Sequence, residues 1–159
     1  MKNIIHKLKL KRCHHKITKY RKELSKCISQ DSFGIHKIVK EEYLKPVWMD
    51  GKVISVSDWT SFHKNNIQMV EGNKYLTSIV KNKAAIFIDE IQEDDPQCLV
   101  DFNIRSTCLL PIVDNDITIG FATMPIFSDY HTYDNHEKTK AIELTEKYSK
   151  YLKEMVNNG

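Results

Sequence analysis

Five glycines in 159 residues leave little material for the loops that cradle phosphates. Neither a P-loop, a Gly-rich dinucleotide fingerprint, a G-x-S-x-G elbow nor an H-E-x-x-H pair occurs, so nucleotide-driven, serine-hydrolase and zinc-protease chemistries lack their usual sequence basis. No apolar run approaches the roughly 18 residues of a membrane span, and the basic start lacks the apolar stretch of a secretory signal. These absences predict a cytoplasmic chain with no membrane contact. Cys13, Cys27, Cys98 and Cys108 form no C-x-x-C pair and are too sparse for a disulfide scaffold, which fits a reducing compartment. No helix-turn-helix with its own core is visible, so sequence-specific nucleic-acid recognition is not expected.

What the chain does have is a charge asymmetry. Residues 1–27 carry ten Lys and Arg against Glu23 alone, a balance of +9, so the remaining body must carry −6 to reach the net +3. A basic arm of this kind could serve as an adaptor for an acidic protein or nucleic acid; the simpler reading is a solvated helix face complementing its own acidic domain. Leu10, Cys13, Ile17, Tyr20, Leu24 and Cys27 recur at steps of three and four, and positions 2–30 hold no Gly or Pro, which predicts one amphipathic helix. A second long helix is predicted from a cap at Asp134 or Asn135 to about position 156, with Glu137 in its first turn and Ala141, Leu144, Tyr148, Tyr151 or Leu152, and Met155 along one side. The two helices are expected to pair, giving a single domain organised as a helix over 1–30, a sheet over 31–132 and a helix over 133–159.

Alternation marks the strands between them. Ile35, Lys37, Val39 and Glu41 fall on one face of a first strand and His36, Ile38 and Lys40 on the other; this strand can run on through Tyr43 and Leu44 until Pro46 ends it or marks an edge. Asp50-Gly51 reads as a hairpin leading to a second strand through Val53, Ile54 and Val56. A long connection over 58–73 precedes a helix over 74–81 capped by Asn73, and strands follow over 84–89, 105–113 and 117–127. Five or six antiparallel strands with segregated helices make an α+β fold.

Residues 84–123 carry a more specific signal. A strand closing on an acidic residue (Ile86-Phe87-Ile88-Asp89), a short helix over 97–102, an Ile104-Arg105-Ser106 step, Leu110-Pro111-Ile112, a turn at Asp114-Asn115-Asp116 and Ile119-Gly120 follow one another. This order resembles the second half of a GAF domain. The resemblance implies a GAF/PAS-like fold in which the terminal helices cover one sheet face and a small-molecule pocket occupies the other. It also implies a sensory or regulatory role with an unidentified ligand and an unknown cofactor, terminal helices that form a homodimer, and signalling in trans to a separate protein. Mapped onto this chain, the pocket wall would comprise Trp59, Phe62, His63, Tyr75, Ile79, Phe87, Asp89, Ser106, Cys108, Phe121 and Thr123. Apolar walls with a few orienting polar groups are what such pockets require.

Several residues carry two readings. Arg105 could hold an anionic ligand, but pairing with Asp101 or Glu93 is the favoured, architectural reading, and strand alternation opposes its side chain to that of Ser106. Cys98 and Cys108 lie where a GAF-related family of free methionine sulfoxide reductases keeps its thiols, which makes a thiol reductase or a redox sensor the alternative function. The chain lacks that family's Trp-x-Gly-Phe-Tyr segment and Cys-Gly step, and nothing adjacent lowers a thiol pKa. Cys13-His14-His15 diverge around a helix and cannot chelate together, while His131 and His136 with Asp134 supply at most two corners of a metal site. His63 is the histidine placed beside the pocket, either as a haem or ligand contact or, more simply, as a hydrogen-bonded loop residue.

Overall fold

Lys40 and Glu41 both adopt positive φ (51° and 58°), and this turn, closed by the Glu42 N–H on the Val39 carbonyl at 2.9 Å, forms the first hairpin. In the computed structural model, which describes residues 2–159, it joins β1 (Gly34–Val39) to β2 (Tyr43–Met49). The expected hairpin at Asp50-Gly51 and the strand over 53–56 do not form. The Asp50 carboxylate instead accepts from Ser32 Oγ (2.8 Å) and pairs with Arg21 (3.4 Å), which turns the chain out of the sheet. Ser55 then accepts from the Asp58 N–H and caps α2 (Val56–Asn65), whose Trp59 and His63, one turn apart, form its buried side. Pro46 sits inside β2 and is tolerated there because β2 is an edge strand.

The remaining elements follow the expected order: α3 (Lys74–Asn82), β3 (Ile86–Ile88), α4 (Gln97–Asp101), β4 (Thr107–Asp114), β5 (Ile117–Thr123), α5 (Asn135–Lys147) and α6 (Ser149–Asn157). The sheet is antiparallel with order β2-β1-β5-β4-β3, and the fold is α+β. Asn115 and Asp116, both at positive φ, make the second tight hairpin, a conformation that Asn and Asp tolerate better than most residues. Asn73 caps α3 through the N–H groups of Tyr75 and Leu76, and Asp134 with Glu137 forms a reciprocal capping box on α5. The C-terminal helix is divided at Tyr148 rather than continuous.

Two cores flank the sheet. On one face, Ile35, Cys108, Leu110, Ile112, Ala122 and Met124 meet the seam of α1 (Lys2–Ser25) and the inner sides of α5 and α6. Cys13, Ile17, Tyr20 and Leu24 are buried as the periodicity predicts, and burying each large side chain contributes about 1.5 to 3 kcal/mol. A 2.7 Å bond between the Tyr20 and Thr145 hydroxyls ties α1 to α5, and Lys147 reaches Glu23 at 3.3 Å. On the other face, Ile38, Leu44, Ile88, Leu109 and Phe121 pack against Leu76 and Ile79 of α3. Among the described residues no helix is long and apolar enough to cross a membrane.

Candidate ligand pocket

Beside the second core, where β1 and β5 turn toward α2 and α4, the side chains leave a cavity of about 100 Å³. Alternation along β1 sends Ile35 to the helical layer and His36 to this face, the same face as Ile38. His36 lies directly opposite Phe121 in the ladder and stacks on it, with centroids 5.0 Å apart and planes 17° from parallel. Trp59 approaches His36 edge-on at 5.2 Å, and His63, one turn further along α2, meets His36 so that the two Nε2 atoms are 3.2 Å apart. Leu44, Met49, Leu99, Phe102, Ile104 and Leu109 complete the apolar wall.

Burial dominates the electrostatics of this site. It pushes the His63 imidazole down to about 4 and holds His36 well below the ordinary imidazole range, with the neighbouring His63 adding to the effect on His36. Both rings are therefore neutral near pH 7. At the rim, the Tyr75 hydroxyl donates to Asp95 (2.8 Å), which also pairs with Lys74 (2.6 Å). Burial raises the Asp95 carboxyl, but the Gln92 N–H, Lys74 and Tyr75 together outweigh it and keep the group below its ordinary value.

Of the residues expected to form the wall, Trp59, His63, Tyr75, Phe121 and Thr123 line the cavity. The other six lie elsewhere. Phe62 stands behind it, against Phe102 at 4.5 Å, and Ile79 is buried in the α3 core, where its carbonyl accepts from Thr118. Phe87 and Cys108 form a cross-strand pair on the opposite sheet face, with Phe87 against Tyr133 at 5.4 Å. Ser106 Oγ donates to the Asp89 carbonyl (2.6 Å) and accepts from the His131 N–H (2.7 Å), while Asp89 Oδ1 accepts from the Tyr133 N–H (3.1 Å). Asp89 and Ser106 thus latch the segment leading into α5 rather than face a ligand. Arg105 keeps an architectural role with a different partner: its guanidinium lies over the Tyr130 ring and donates to the Tyr130 hydroxyl at 3.3 Å, instead of pairing with Asp101 or Glu93. His36 is the principal addition, and its alternation with Ile35 was the available signal.

The two thiols near this region are separated by the sheet. Cys98 lines the cavity and burial pushes its thiol up to about 11; Cys108 belongs to the helical-layer core, and burial raises it further. His131 is engaged by Glu137 at 2.9 Å, and among the described residues no group of three His, Cys, Asp or Glu side chains is placed to hold a metal ion. A second, roomier cleft of about 460 Å³ runs between the outer edge of β4 and α5–α6, lined by Lys83, Leu110, Ile142, Glu146 and Lys153.

No protein-family model and no curated protein matches the sequence. Solved structures do match in fold. A GAF domain/HD domain protein from Geobacter sulfurreducens superposes with a TM-score of 0.69 at 12% identity, covering 90% of this chain and 93% of that one. The GAF domain of a two-component sensor histidine kinase from Bacillus halodurans gives 0.66 at 15% identity over 92% and 97% of the two chains. The PixJ GAF domain of Thermosynechococcus elongatus, in its blue-light-absorbing form, gives 0.63 at 16% identity over 92% and 88%. The chain has the GAF fold.

Proposed function

We propose that this GAF-fold chain is a small-molecule-binding sensory domain whose ligand state is read out by its terminal helices. The observation that carries the proposal is the buried His36–His63 contact at 3.2 Å on the wall of an otherwise apolar cavity. Polar groups placed sparingly in an apolar concavity are the hallmark of a site that orients a ligand. The fold's appearance in a sensor histidine kinase and in a light-absorbing PixJ domain supports a sensory role by likeness.

The route from pocket to helices is short. Successive residues of β5 face opposite ways, so Phe121 meets the cavity while Ala122 meets the helical core, and the space that a side chain at Gly120 would enter is bounded by Val156 of α6. A ligand that displaces β1 and β5 changes the seat of α1 and α6, and differential affinity for the two seatings would shift their populations. The exposed Ile4, Ile5 and Leu8 of α1 supply an apolar surface through which we propose homodimerisation, with a separate signalling protein as the downstream reader.

The test is native mass spectrometry of protein purified from cells, with Trp59→Ala and Phe121→Ala as controls. A retained small molecule lost in both variants supports the reading; a wild-type protein that retains nothing, and whose stability no metabolite mixture changes, rejects it. The separation of Cys98 from Cys108 by the sheet favours this reading over thiol reduction. The cations of α1 in contact with the chain's own acidic and aromatic groups, Lys16 on Tyr151 and Arg21 on Asp50, likewise favour it over an adaptor role.

A further inference from the structure

No Lys, Arg, Asp or Glu lines the cavity. Two carboxylates stand behind its wall, and both are committed. Asp95 accepts from the Tyr75 hydroxyl and the Gln92 N–H and pairs with Lys74. Asp50 accepts from Ser32 Oγ and the Lys52 N–H and pairs with Arg21. A charged molecule entering here would shed its water and meet no counter-ion, a cost that the surrounding apolar contacts do not return.

The polar side chains of the wall are largely engaged with the protein itself. Thr123 bonds Thr107, and the side-chain oxygen of Asn73 accepts from the Tyr75 and Leu76 N–H groups. His36 and His63 join Nε2 to Nε2, and their Nδ1 atoms are enclosed by protein, so neither imidazole has a nitrogen to give a ligand. The contact that marks the site therefore shapes it and does not hydrogen-bond its occupant. Burial keeps both rings uncharged near pH 7, and they join Trp59 and Phe121 as neutral ring surface. The donors that remain among the lining side chains, the Trp59 indole, the Asn73 amide and the protonated Cys98 thiol, carry no charge either. Space sets a second limit. A cavity of about 100 Å³ falls well below the roughly 300 to 1,000 Å³ of sites that bury drug-sized ligands, and an engineered apolar cavity of about 150 Å³ holds benzene.

We infer that the pocket takes an uncharged, mainly apolar molecule no larger than about one ring, held by contact with Trp59, Phe121, the histidine rings and the aliphatic wall. This rests on the cavity being the ligand site. It excludes nucleotides, carboxylates and ammonium compounds as occupants, because each would bring a charge that nothing in the wall can meet.

The inference is tested by NMR titration of the full wild-type chain with four probes, so that no variant has to fold. Toluene is the neutral ring, benzoate and benzylammonium are its anionic and cationic counterparts, and naphthalene adds a second ring. Toluene should shift the Trp59 and Phe121 side-chain resonances and bind about tenfold or more tightly than either ion. It should also bind more tightly than naphthalene, whose larger apolar surface would give it the advantage in any site with room for two rings. Equal or tighter binding of benzoate or benzylammonium at these resonances overturns the inference while leaving the cavity as a ligand site. Tighter binding of naphthalene overturns the size limit, and the inference with it. If none of the four shifts these resonances, the inference falls; the ligand site falls with it only when native mass spectrometry of the wild-type protein also finds no retained molecule.

Discussion

Gly120 of β5 faces Val156 of α6 across a gap that a side chain would crowd. A Cβ there would collide with the His36 carbonyl and lie 3.2 Å from a Val156 methyl. The same backbone carbonyl belongs to the residue whose imidazole faces the cavity, so pocket strand and terminal helix both bound the space above Gly120.

Gly120→Ala should therefore destabilise the fold by about 2 to 3 kcal/mol, since the obstacle is backbone and cannot rotate away. Urea denaturation measures this, and a change within about 0.5 kcal/mol would show that the contact is loose.

Acid should unfold the protein through the histidine pair. The folded-state pKa of both rings lies below the ordinary 6.5, so the unfolded chain binds more protons in that window. Stability is full above pH 6.5 and falls as pH drops toward about 4, the value for His63, by an amount on the order of 2 kcal/mol or more. Denaturation midpoints at several pH values should show this slope, and His63→Leu should make it shallower without abolishing it, because burial alone still holds His36 down. Asp31 and Asp95, held below 3.8, lose their contribution only at lower pH.

Ser106→Ala should cost about 1 to 3 kcal/mol by removing the donor to the Asp89 carbonyl and the acceptor for the His131 N–H. Hydrogen exchange at the His131 amide should accelerate while the side-chain resonances of Trp59 and Phe121 stay unchanged. Shifted Trp59 and Phe121 resonances with unaltered exchange would return Ser106 to the pocket.

Cys98 should be a slow thiol. With its pKa pushed up from 9.0 to about 11, its thiolate fraction near pH 7.5 is about a hundredfold below that of an ordinary cysteine, and alkylation by iodoacetamide should slow accordingly. Reaction at the rate of free cysteine would reopen the redox readings.

Ile4→Gln together with Leu8→Gln removes two neighbouring apolar side chains from the exposed part of α1. Sedimentation should show at least a tenfold weaker dimer. A wild-type protein that is monomeric at all concentrations rejects the dimer outright.

The sequence was most legible where chemistry is local. The α1 seam, the Asn73 cap, the capping box begun by Asp134 and the Asn115-Asp116 turn could all be read from neighbouring residues. The first hairpin could not, because Lys40 and Glu41 are not residues that advertise positive φ. Asp50-Gly51 advertised a turn, but its carboxylate bonds Ser32, distant in sequence, and the hairpin gave way to a helix.

The candidate site divides in the same way. Composition and periodicity determined an α+β domain with paired terminal helices, and the order of motifs over 84–123 pointed to its fold. Only the tertiary structure decided which side chains meet. Counting back from the Asn115-Asp116 turn would set Cys108 opposite Thr123, on one face. A bulge between Ile112 and Val113 instead pairs Leu109 with Thr123, which sends Cys108, and Phe87 across from it, to the helical layer. Strand side chains alternate with period two, so a single extra residue reverses every face beyond it. His36 and His63, 27 positions apart on different elements, become partners only when the sheet and α2 close on one another.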